Sequence, residues 1–299
     1  QMCIRDRIWL YTQDSEQEVW QDESSWMKSN PTLGKIKTVE YLRDRLNKAR
    51  MDKSERVFTL CKDFNIKQNT AESWLLTDDY DYDMEIKTLE DFRGCIGLAA
   101  VDLSETTDLT NCKLLFMREG DNTKYVFSHY WIPEGKLQKS DDASAGAKYK
   151  EWAKEGVLTI CPGYDIDLSS VADWIASLKR DYDIRILKCG YDQRFAKEFL
   201  NRMDEYGIEC EMIQQSKEVM SVPMKQVEAE LKGRLINYGR NPMDMWCFGN
   251  ASMEIDNLGR VMCIKINGQH SKRIDGAVTI IILYATLQRF KSEFMRYVK

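Results

Sequence analysis

The chain has 299 residues, 43% of them hydrophobic and 30% charged, with a formal net charge of −5. This is a globular composition, long enough for one large or two modest domains. The longest apolar run, Ala277 to Leu287, is too short to cross a bilayer. The negative balance argues mildly against nucleic acid as a partner, but whole-chain charge says little about a local basic face. Nine cysteines (Cys3, Cys61, Cys95, Cys112, Cys161, Cys189, Cys210, Cys247, Cys263) are scattered with no C-x-x-C pair and no signal peptide. The expectation is a reducing, cytosolic setting without a zinc site.

In chain order, Gln1 to Arg7 fit no element and are set aside as an artefact. Ile8 to about Leu76 is rich in Trp, Asp, Glu, Lys and Asn, and Lys37 to Arg50 reads as a helix with Val39, Leu42, Leu46 and Ala49 at helical spacing. No G-x-x-x-x-G-K-[ST] phosphate loop occurs in the sequence. Asp78 to Glu85 is an acidic run and reads as a solvated linker. From Gly94 the pattern is α/β. Cys95–Leu103, Leu109–Met117 and Tyr125–Ile132 read as strands joined tightly enough for an antiparallel meander. Lys148–Lys154 suggests a helical turn, and Pro162-Gly163 a break. Ser169–Arg180 reads as a helix with Ser169 or Ser170 near its start. Ile184–Cys189 is a strand, Gln193–Tyr206 a helix closed by Gly207, and Ile208–Ile213 a strand. Lys217–Lys232 is mostly helix, interrupted near Pro223. Met253–Asn267 reads as a hairpin around Asn257–Gly259, and Asp275–Phe290 as a helix apolar on all sides and therefore buried.

Three aspartates stand at element ends. Asp102 closes the first strand, where a buried carboxylate costs several kcal/mol unless turn N–H groups or a metal satisfy it. Asp192 lies just beyond the Ile184–Cys189 strand, and Asp275 opens the buried helix. Each has a plain alternative, a turn acceptor for Asp102 and an N-cap for the other two. Three carboxylates at one sheet edge would repel unless cations stood between them. A pair of Mg²⁺ ions about 4 Å apart would suit phosphodiester hydrolysis there.

The run Gly97-Leu98-Ala99-Ala100-Val101-Asp102-Leu103-Ser104, with Thr107-Asp108-Leu109-Thr110, resembles the first nuclease motif of the large terminase subunits of tailed bacteriophages. The likeness continues through Tyr130-Trp131-Ile132-Pro133-Glu134, Trp152-Ala153-Lys154-Glu155-Gly156, Pro162-Gly163, Gly190-Tyr191-Asp192, Ser221-Val222-Pro223-Met224-Lys225, Asn241-Pro242, Trp246, Asn250 and Arg273-Ile274-Asp275-Gly276-Ala277-Val278. It spans residues 92–299. Residues 1–91, with Trp20, Trp26, Asn30-Pro31 and Leu33-Gly34, resemble the segment that joins the family's ATPase to its nuclease; the ATPase itself is missing, so translocation is not expected of this chain. The resemblance implies an α/β, ribonuclease H-like mixed sheet, an antiparallel meander followed by parallel strands, flanked by helices. It implies a metal-dependent endonuclease that cuts concatemeric DNA during genome packaging in the cytoplasm of the infected host. Asp102, Asp192 and Asp275 would then hold Mg²⁺ or Mn²⁺, as two ions, with Asp108 as an auxiliary carboxylate. Partners would be double-stranded DNA, the small terminase subunit and the capsid portal, with no membrane.

Between Asn257 and Ile274 the sequence carries Arg260, Lys265, Lys272, Arg273 and His270 and no acid. A basic hairpin leading to Asp275 fits a phosphate-gripping surface, with an ordinary solvated hairpin as the alternative. His129 reads as a satisfied core histidine, and the tryptophans as core rather than base-stacking platforms. Two other function classes stay open, a resolvase or transposase on the same fold and a non-catalytic module that docks on DNA or a portal.

Overall fold

Capping and apolar spacing explain the first part of the chain. In the computed structural model, which describes residues 10–66, 73–104, 109–137, 146–193, 196–266 and 272–298, the chain divides into two units between Glu72 and Ser73. The first is helical: α1 (Glu16–Gln21), α2 (Val39–Met51) and α3 (Lys53–Phe64). Ser15 and Thr38 cap α1 and α2 by accepting the N–H of Glu18 and Tyr41. Val19, Trp26, Leu42, Leu46, Leu60 and Phe64 form its core, with the Trp26 ring edge-on to Phe64 at 5.7 Å. The expectations for Gln1–Arg7, Asp108 and His270 fall outside the described residues.

The second unit is built on β1 (Ile96–Asp102), β2 (Thr110–Phe116) and β3 (Lys124–Pro133), an antiparallel meander. Parallel strands extend it on both sides: β4 (Leu158–Cys161) beside β3, β5 (Arg185–Tyr191) beside β1, and β6 (Cys210–Met212) beside β5. The order is β4-β3-β2-β1-β5-β6, and β7 (Ile236–Asn237) pairs with the start of β3. A meander continued by parallel strands, with helices on both faces, is the ribonuclease H-like arrangement.

Strand alternation sorts the core into two layers. After the short helices α5 (Glu134–Leu137) and α6 (Tyr149–Lys154) come α7 (Leu168–Tyr182) and α8 (Lys197–Glu205), which Ala99, Val101, Cys112, Leu114 and Phe116 face through Val171, Ile175, Leu178, Phe199 and Met203. Leu98, Ala100, Leu115 and Val126 face α9 (Lys217–Lys232) and the last helix, α11 (Asp275–Phe294). Thirteen residues of α11 are buried, as its apolar surround requires. Between them lie α10 (Pro242–Asn250), started by Asn241 in front of Pro242, and the expected hairpin, β8 (Ala251–Ile255) with β9 (Val261–Lys265).

Three local expectations need correction. The acidic run 78–85 is not a solvated linker: it begins within the short helix α4 (Thr77–Tyr80), and Tyr80 and Tyr82 are buried. The Tyr82 ring stands edge-on to Tyr238 and the Tyr80 ring lies against Phe248; the Tyr82 hydroxyl donates to the Ile236 carbonyl and the Tyr238 hydroxyl to the Tyr80 carbonyl. The division at Glu72–Ser73 therefore lies upstream of the 91/92 boundary drawn from sequence. Helix α9 runs unbroken through Pro223, because burial of Met220, Met224, Val227 and Leu231 offsets the roughly 3 kcal/mol that an interior proline costs. The cap of α7 is Asp167, which accepts the Ser169 N–H at 3.0 Å, rather than a serine.

His129, on β3, is half-buried. Its Nε2 lies 2.8 Å from Thr159 Oγ1, and its ring stacks on Trp174 at 5.2 Å. Burial holds its pKa down at about 4, against 6.5 ordinarily. Between those values the unfolded chain binds the extra proton, so stability is full above 6.5 and falls as pH drops towards 4. With solvent screening around a half-buried ring, the loss is about 1–2 kcal/mol. His129→Gln should remove that part of the slope, which denaturant unfolding at pH 7 and pH 4.5 measures.

Candidate metal and catalytic site

Pairing register brings the first two aspartates together. Ala100 pairs with Gly190 and Val101 with Tyr191 on the parallel strand, so Asp102 and Asp192 follow at matching positions on neighbouring strands. Alternation puts Asp102 on the face of Ala100 and Leu98, and Asp192 on the face of Gly190. Both are on the α11 side: a Cβ on Gly190 would lie 2.0 Å from Thr286 Oγ1 and 3.3 Å from Ile282. Asp102 and Asp192 are half-buried.

Asp275 enters from the helix above. It is the first residue of α11, only 8% exposed. The next residue, Gly276, sits so close to β3 that a Cβ would meet the Tyr130 hydroxyl at 2.0 Å and Asp244 Oδ1 at 3.2 Å. Tyr130 pairs with Asn111, and Asn111 with Asp102. The start of α11 thus lies over the same cross-strand row that ends in Asp102. Burial, and after it the Asp275 carboxylate, hold the Cys247 thiol on α10 above its ordinary pKa.

The N-cap of α11 is Ile274 and that of α8 is Ala196, so neither Asp275 nor Asp192 is the cap of its helix. Asp192 Oδ1 accepts the Gln193 N–H at 2.8 Å. In the turn after Asp102, the Ser104 N–H donates to Thr110 Oγ1 at 2.9 Å.

One row further along the strands lies a polar cluster that the sequence did not announce. Lys113 on β2 and Asp244 on α10 are both fully buried and form an ion pair. Ser128 Oγ donates to Asp244 Oδ2 at 2.6 Å, Lys113 Nζ donates to Ser128 Oγ at 2.6 Å, and the Tyr130 hydroxyl donates to Asp244 Oδ1. Burial, then Asp244, raise the Tyr130 hydroxyl well above its ordinary pKa, so it stays a donor. Asn111 is fully buried as well. Its Nδ2 donates to the His129 carbonyl at 2.9 Å, while its Oδ1 accepts no hydrogen bond among the described residues. Leaving such an oxygen unmet costs about 1–3 kcal/mol.

The donors at this edge are hard oxygens, which suit Mg²⁺ or Mn²⁺ and not a soft metal. Among the described residues, no three His, Cys, Asp or Glu side chains already stand as a ready metal cluster. The chemistry of the site fits a divalent cation, and the register supplies two carboxylates in adjacent positions with a third at the start of α11.

Residues 6–291 match the family profile of the terminase large subunit, endonuclease domain. The chain belongs to that family.

Two relatives place it more closely. The large terminase subunit of Enterobacteria phage HK97 is 26% identical over 264 residues, covering 86% of this chain and 49% of that protein. Protein YmfN of Escherichia coli (strain K12) is 24% identical over 302 residues, covering 95% of this chain and 63% of that one. The crystal structure of the HK97 large terminase shares the fold, with a TM-score of 0.62 at 21% identity over 93% of this chain and 56% of that chain. This chain therefore spans about half to two thirds of the length of the relatives it matches.

Positive charge in this terminase endonuclease chain is more committed than the sequence implied. The Arg260 guanidinium pairs with Asp256 at 2.7 Å and with Glu218, and these carboxylates raise its pKa further. Arg273 is only 5% exposed, and its carbonyl accepts from Asn250 at 3.1 Å. Lys265, ending β9, and Lys272 are half-buried. Among the described residues no helix is long and apolar enough to cross a membrane.

The contact of Gly276 with Tyr130 gives a direct test of how the third aspartate is seated. Gly276→Ala should overpack this point and lower stability by about 1–3 kcal/mol. Tyr130→Phe, which removes the obstructing oxygen, should recover part of that loss in the double mutant, a coupling that denaturant unfolding of the four proteins measures.

Proposed function

We propose that this chain is a metal-dependent DNA endonuclease that serves phage genome packaging by cutting concatemeric DNA. The observation that carries this reading is the register of Asp102 with Asp192 on the α11 face, beneath the helix that begins with Asp275. Membership of the terminase endonuclease family supports the reaction class. In this reading Asp102, Asp192 and Asp275 hold Mg²⁺ or Mn²⁺, as a pair of ions. When bound, such ions activate water for attack on phosphorus and stabilise the departing oxygen as the P–O bond breaks. The chain's own part is to fix three oxygens at one edge and to keep α11 from lifting away from them. Asp108, six residues after Asp102 in sequence, is proposed as an auxiliary carboxylate.

Lys265 and Lys272, together with Arg260 and Arg273, form the proposed basic approach to the carboxylates, which would grip phosphates without reading sequence. The helical first unit is proposed to join this nuclease to an ATPase motor. The small terminase subunit and the capsid portal are the proposed packaging partners, and the host cytoplasm the place of action.

The test is plasmid cleavage by the full chain with Mg²⁺ or Mn²⁺. Asp102→Asn keeps the side chain's size and removes its charge, so cutting should fall by at least ~10²-fold while the thermal transition persists, several kcal/mol of transition-state stabilisation being lost. Cutting that is undiminished in Asp102→Asn, or that continues in excess chelator, would return the chain to a docking role without catalysis.

A further inference from the structure

Asn111 is the polar residue at this edge that neither the family match nor the three-aspartate site uses. It stands between Asp102 and Tyr130 in the cross-strand row, on the α11 face, and is fully buried. The next residue on the same face of β2 is the fully buried Lys113, committed to Asp244 and Ser128, while Cys112 and Leu114 on the other face are apolar. A fully buried asparagine calls for partners on both ends of its amide.

One end has its partner. The Nδ2 donates to the His129 carbonyl on β3 at 2.9 Å. A carbonyl oxygen can only accept, so this bond fixes which way round the amide lies. It turns the Oδ1 away from the β3 carbonyl, where it is buried with no hydrogen bond among the described residues. Directly opposite Asn111 on β1 is Asp102, and side chains of paired residues on one face stand about 5 Å apart at their Cβ atoms. A neutral, fully buried amide oxygen beside a carboxylate is an arrangement that a hard cation satisfies on both sides. Asn carbonyl oxygens are ordinary ligands for such ions.

Resting on the metal-dependent reading above, we propose that Asn111 Oδ1 is a neutral oxygen ligand of the divalent cation that Asp102 holds. The amide is held in place by its bond to β3 before the ion arrives, so little rotamer freedom is lost on binding.

Calorimetric titration of the full chain with Mn²⁺, without DNA, tests this independently of cleavage. Asn111→Leu should weaken Mn²⁺ binding by ~10-fold or more. Asn111→Asp also loses the donor to His129 but keeps an oxygen in place, so it should bind Mn²⁺ at least as tightly as the parent. A purely structural asparagine would make both variants weak alike. Parent-like affinity in Asn111→Leu, or equal weakening in Asn111→Asp, overturns the assignment. If Asn111→Leu does not fold, the aspartate variant decides alone, retained affinity supporting the ligand and a tenfold loss refuting it. Asp102→Asn serves as the control: should it bind Mn²⁺ as the parent does, the metal reading of this edge itself fails and the ligand assignment falls with it.

Discussion

The close approach of α11 to the sheet is the constraint on which the site depends. The helix touches at two glycines, Gly276 against the Tyr130 hydroxyl and Gly190 against Thr286 and Ile282. At neither place is there room for a methyl group. The helix therefore crosses from β3 to β5 with its first residue, Asp275, set over the row that holds Asp102. Because α11 is buried from Asp275 to Leu287 except at Val278, it cannot slide without opening the core of Leu98, Ala100, Leu115 and Val126. The position of the third carboxylate is a consequence of packing made along the whole helix.

Under the start of α11 lies the Lys113–Asp244 pair. A fully buried ion pair is weak evidence for stability, since desolvation of both charges offsets much of their attraction, but breaking it by losing one partner typically costs 3–5 kcal/mol. Here both ends carry further partners, as Ser128 and Tyr130 also donate to the Asp244 carboxylate. The cluster joins β2, β3 and α10 at the point where Gly276 passes. The start of α11 thus rests on a buried polar support instead of on hydrophobic packing alone.

Much of the fold was legible in the chain. The meander, the hairpin around Asn257–Gly259 and the buried last helix follow from short apolar runs, turn residues and an apolar surround. What was missed had a physical cause. β4 is four residues long, too short for alternation to register. Tyr80 and Tyr82 lie in an acidic run whose charge disguises them, although both rings reach the core. In β2, the polar residues Asn111 and Lys113 alternate with apolar ones, a pattern that reads as a strand with one wet face. That face is dry: Lys113 pairs with Asp244, and the Asn111 amide donates to the His129 carbonyl. Asp102 and Asp192 were recognisable as strand-end carboxylates, but only the pairing of Ala100 with Gly190 places them side by side. Arg260 pairs with Asp256, which stands one residue before the acid-free stretch 257–274, and with Glu218, 42 residues away in sequence.

In the reading proposed above, Asp102, Asp192 and Asp275 form one divalent-metal centre. Anomalous diffraction from crystals of the full chain grown with Mn²⁺ tests this. Manganese peaks are expected at the carboxyl end of β1 and β5, within ligand distance of all three carboxylates, at roughly 2.0–2.6 Å as hard oxygen donors hold such ions. Manganese bound elsewhere, or three carboxylates that stay apart with no ion between them at saturating Mn²⁺, would contradict it.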